Sequence, residues 1–74
     1  MFIAYHVEPD HTRGTPIAVN ETYDGALEVG IRRILSAGIL HGALQVQDRA
    51  DIEPAVLTEL KTFLDGFFSD RGIT

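Results

Sequence analysis

Between Thr22 and Gly38 the chain reads TYDGALEVGIRRILSAG, and its apolar residues Tyr23, Ala26, Leu27, Ile31, Ile34 and Leu35 recur at the spacing of one helical stripe. This stripe limits the fold more than any other feature. An amphipathic helix needs an apolar surface to lie on, and the segments on either side of it read as strands. Asn20 and Thr22 are candidate N-caps, Asp24 falls in the first turn, and Gly38 suits the position just past the C-cap. Gly30 lies inside the stripe, with Ala26 and Ala37 along the same side. A mid-helix glycine costs about 1 kcal/mol relative to alanine, so this smooth strip predicts close approach of another backbone.

The flanking segments supply that surface. Phe2 to Glu8 is rich in aromatic and β-branched residues and predicts a strand. Alternation puts Ile3, Tyr5 and Val7 on one of its faces, and Phe2, Ala4 and His6 on the other. Pro9 to Gly14 is a polar loop, and Thr15 to Val19 a short second strand in which Ile17 and Val19 share a face; Pro16 marks it as an edge. A third strand is expected at 42–47, with Leu44 and Val46 facing one way and Ala43, Gln45 and Gln47 the other. Pro54 opens a second helix to about residue 70, striped by Val56, Leu57, Leu60, Phe63, Leu64, Phe67 and Phe68. The expectation is one α+β domain over residues 1–74 in the order ββαβα. It has a three-stranded mixed sheet and both helices on the face carrying Ile3, Tyr5, Val7, Ile17, Val19, Leu44 and Val46. Strand orders 2-1-3 and 1-2-3 both satisfy the pattern.

A chain of this size buries only roughly 60% of its unfolded surface, and this one has no cysteine, so neither disulfides nor thiolate–metal sites reinforce it. Eleven acidic residues against six basic ones give a net charge of −5. That balance argues against duplex nucleic-acid binding, which needs a positive face, and favours a protein partner with a basic surface. No run of apolar residues reaches the length of a membrane span, and the first residues lack the positive, then apolar pattern of a signal peptide. A cytoplasmic location is the default expectation, that of the host if the chain is phage-encoded.

No catalytic or cofactor motif stands out, and no pattern is specific enough to name a family. Ser36 lacks a nucleophile-elbow context, and the chain has no glycine-rich phosphate loop. The densest polar cluster is His6, Glu8, Asp10 and His11. Imidazole and carboxylate can hold a divalent metal, but Pro9 interrupts the alternation and the spacing matches no familiar metal motif. His41 reads as a turn residue before Gly42. Arg32 is placed to answer Glu28 one helical turn earlier, with Arg33 at the edge of the stripe.

The leading expectation is therefore a small acidic, non-catalytic module with no cofactor and no metal. It would act by docking on another protein or protein–nucleic-acid complex, as an inhibitor of the antitoxin, immunity or phage anti-defence (anti-CRISPR) type would. Its docking surface is expected on an open sheet face low in charge, formed by Phe2, Ala4, His6, Ala18, Ala43, Gln45 and Gln47, with Phe67 as a further contact. One alternative is an assembly protein that forms homodimers through this face or a strand edge. The other is a small metal-dependent enzyme or binder using His6, Glu8 and His11.

Overall fold

Local stop and start signals set the limits of the elements. Thr22 caps the first helix by accepting the Gly25 amide at 3.0 Å on its Oγ1, and Asn20 Oδ1 in turn accepts the Thr22 amide. At its other end Ile39 N–H donates to Ile34 O and Gly38 N–H to Leu35 O, with Gly38 at φ 73°. That pairing is a Schellman closure, which needs the left-handed conformation glycine adopts freely. The second helix begins at Pro54, and Gly72 repeats the closure through Ile73 N–H to Phe68 O. The computed structural model describes residues 1–10 and 14–73, so His11 and Thr12 lie outside the described residues. The elements are β1 (Phe2–Val7), β2 (Gly14–Asn20), α1 (Tyr23–Ser36), β3 (Ala43–Asp48) and α2 (Pro54–Ser69), the expected order and class.

The sheet order is β2-β1-β3. β1 is antiparallel to both neighbours, so the sheet is antiparallel rather than mixed. The crossover through α1 joins two strands that run the same way but have β1 between them. β1 and β2 slip register between Ala4 and Tyr5: Ala4 opposes Ala18 whereas Tyr5 opposes Pro16, leaving Ile17 as the extra residue of a bulge. A one-residue slip moves side chains to the other face. Ile17 accordingly joins Ala4 and does not share a face with Val19, which opposes Ile3.

Both sheet faces are covered over β1 and β2, and this changes the expected layering. α1 lies on the Ala4 face: a Cβ built on Gly30 would stand 3.0 Å from Ala4 Cβ, 3.2 Å from Leu44 Cδ1 and 3.5 Å from Ile17 Cδ1. Ala4, Ala18, Ala26 and Gly30 are small because helix and sheet meet there at short range. On the opposite face Ile3 is 1% exposed and Val19 is also buried. Cover there comes from the chain after β3: Arg49 donates to Tyr5 Oη at 2.5 Å, and α2 packs on β2 and brings Leu57 into the same core. The two helices therefore do not share one face.

Arg33 ties the layers together. Its Nη1 donates to Ile17 O and its Nη2 to Asp65 Oδ1, both at 2.7 Å, and its guanidinium lies 4.7 Å from the Phe68 ring centroid. At 5% exposure it is buried, not at the edge of the stripe. The buried line of α1 runs Ala26–Gly30–Arg33, and Tyr23, Ile31 and Leu35 stand exposed beside it.

Candidate functional site

β1 and β3 pair so that Val7 opposes Ala43 and His6 opposes Leu44. The end of β1 therefore meets the start of β3, and His41 arrives beside His6 and Glu8 although 35 residues separate the histidines. His6 is 7% exposed, and its Nε2–H donates to the His41 carbonyl oxygen at 2.7 Å. That bond commits the Nε2 proton and turns Nδ1 toward Glu8, whose Oε1 lies 3.8 Å away. Glu8 Oε2 is 2.9 Å from His41 Nε2, and the two imidazole rings meet edge to face at 5.5 Å. One nitrogen or oxygen from each of the three residues falls within 4.8 Å of the others. Gly42, at φ 84°, makes the approach possible: a Cβ there would stand 2.6 Å from His6 Nε2.

A second feature is apolar. α2 and the residues that follow α1 enclose a groove of about 510 Å³, whose lining includes Pro16, Ile39, Leu60, Phe63, Phe67 and Ile73. Phe63 is 65% exposed along it, its ring 6.1 Å from that of Phe67. The Arg71 guanidinium lies 3.5 Å from the Phe67 centroid. Leu40, Leu35 and Ile31 are exposed on the neighbouring surface, with Leu40 at 87%.

The expected open face is thus largely closed. Ala4 and Ala18 are buried in the core, and Phe2 packs edge to face on Tyr23 at 6.1 Å. Ala43, Gln45 and Gln47 are exposed, but they oppose Val7, Tyr5 and Ile3 and so stand on the other sheet face from Ala4, whereas Leu44 and Val46, expected beside Ile3, oppose His6 and Ala4. His6 is buried beside His41 instead of contributing to an open surface. Phe67 belongs to the apolar groove. Among the described residues His41 joins His6 and Glu8, and His11, the histidine the sequence offered beside them, lies outside the described residues. The signal for His41 was the pairing of β1 with β3, which no local pattern carries. Arg32 bonds Glu28 at 3.1 Å as expected.

Partial burial pushes the Asp65 carboxyl up, but hydrogen bonds from Lys61 and Arg33 outweigh it and hold the group below its ordinary range. Asp51 is likewise lowered by its paired hydrogen bonds from Arg49. No protein-family model matches this chain, and no curated protein or solved structure does either.

Proposed function

We propose that this chain is a small acidic, non-catalytic binding module that docks on another protein through the apolar groove along α2. The observation that carries the reading is Phe63, a large aromatic residue standing mostly in solvent on a groove already lined by apolar side chains. A 74-residue domain with a covered sheet has little reason to leave such a residue exposed unless another surface meets it. Aromatic anchors in apolar pockets supply much of the energy of protein association. The partner's chemistry follows from charge: a net −5 favours an apolar insert surrounded by basic residues. Occluding the working surface of a basic target is the action of an inhibitor, and a compact module of this kind suits it.

The test uses a pair of synthetic amphipathic helical peptides with the same leucine face, one carrying lysines on its polar face and the other glutamates. The lysine peptide should bind in fluorescence anisotropy, and Phe63→Asp should weaken it by about 30-fold. Equal binding of the two peptides, or binding untouched by Phe63→Asp, would overturn the reading.

A second reading rests on β3. It is an edge strand with neither proline nor lysine to protect it, and Ala43, Gln45 and Gln47 are exposed. Pairing with β3 of a second copy would join two sheets into one and make the protein an assembly element. Light scattering at tens of micromolar separates the two: a monomer sinks the edge-paired dimer, and a dimer dissociated by Gln45→Pro supports it.

A further inference from the structure

We propose that His6, Glu8 and His41 form a binding site for a divalent transition-metal ion of the zinc class. This site is independent of the docking reading: His6 also borders the apolar groove, but the ion would be held between its Nδ1, Glu8 and His41, and neither Glu8 nor His41 lines that groove. With Nε2–H committed to the His41 carbonyl, His6 presents the lone pair of Nδ1 to Glu8 Oε1 across 3.8 Å. A nitrogen lone pair and a carboxylate oxygen facing each other at this distance leave room for a shared cation, which is a proton or a metal ion. A backbone carbonyl holding the second ring nitrogen is also the usual support of a metal-bound histidine, fixing both tautomer and ring orientation.

The spacing suits the ion. Zinc bonds of about 2.0–2.1 Å in a tetrahedral arrangement put neighbouring ligand atoms about 3.4 Å apart. The three residues bracket that value, from 2.9 Å between Glu8 Oε2 and His41 Nε2 to the 4.8 Å that bounds the set. Imidazole nitrogen with carboxylate oxygen is a donor set for zinc and its neighbours rather than for calcium or magnesium. His6 is held rigidly by burial and by its hydrogen bond, whereas Glu8 and His41 lie at the surface where an ion can enter. Three protein ligands leave a fourth position for water or for a donor from a bound molecule.

The experiment is calorimetric titration of the full chain with zinc chloride, repeated with cobalt chloride while following the visible d–d absorption. One ion per chain is expected. His41→Ala and Glu8→Gln should each weaken binding at least tenfold and abolish the cobalt band, whereas His11→Ala should leave both unchanged. Because Glu8 and His41 are surface residues, both variants should keep the circular dichroism of the parent. Absence of binding by the parent chain at millimolar metal would overturn the site. So would binding that survives both substitutions, or that is lost only in His11→Ala.

Discussion

Arg33 shows how much a single side chain carries in a domain this small. A guanidinium taken out of water loses its hydration, and here the Ile17 carbonyl, the Asp65 carboxylate and the Phe68 ring replace it in part. Its Nε has no hydrogen-bond partner among the described residues, so the replacement is incomplete. Asp65→Asn removes the compensating charge and leaves the cation buried. Asp65 is partly exposed, which moderates the loss to about 1–3 kcal/mol, or roughly 4–24 °C in melting temperature for a domain of this size. The pH dependence follows from the lowered Asp65 pKa. Its contribution is fully present above the ordinary value of 3.8 and disappears as the pH falls through the lower value of the folded state. Melting curves of the parent and Asp65→Asn should therefore converge on acidification; a constant gap would show that the ion pair is not the cause. Gly42→Ala tests a different residue. A Cβ there meets His6 and also requires an unfavourable positive φ, so the variant should melt lower than the parent by several degrees.

At the scale of the element, the helix limits were written in the sequence because caps are local. Thr22, Gly38, Pro54 and Gly72 each act within a few residues of where they stand. The assignment of faces was not legible. Reading Ile17 and Val19 as neighbours on one face assumed an unbroken alternation, and the bulge at Ile17 breaks it through pairing with β1. Ala4 and Ala18 looked like a flat open surface because they are small. Smallness there instead admits α1, whose Gly30 needs just such neighbours. For the same reason Tyr23, Ile31 and Leu35 lean outward while Ala26 and Gly30 take the centre of the stripe, with Ile34 packed against the core beside them. Gly30→Leu should destabilise by overpacking, by about 1–3 kcal/mol in denaturant titration, since the Ala4 Cβ is fixed to the sheet and cannot turn aside. A stable Gly30→Leu protein would show that helix and sheet stand farther apart. Phe63→Asp is the contrasting case on α2: an exposed position whose loss should change stability by no more than about 0.5 kcal/mol while removing the groove's aromatic anchor.

For the whole molecule, the sheet order decides what can be next to what. With β1 in the centre, its end meets the approach to β3, and the histidines come together. Both strand orders satisfied the sequence pattern, which is why His6 and Glu8 were recognisable as a pair while their third companion was not. The apolar groove was foreshadowed by Phe67, but its shape depends on Ile39 and Pro16, contributed by distant segments.

The position of Arg33 also bears on how the molecule comes apart. α1 and α2 sit on different sides of the sheet, an arrangement that would ordinarily let one helix detach while the other holds. The guanidinium couples the two, because release of α2 takes both Asp65 and the Phe68 ring away from a charge that α1 and β2 otherwise hold through the Ile17 carbonyl. A protease cut in the 49–53 connection should therefore release the whole fold rather than trim it. The slowest-exchanging amides of the two helices should report the same opening free energy.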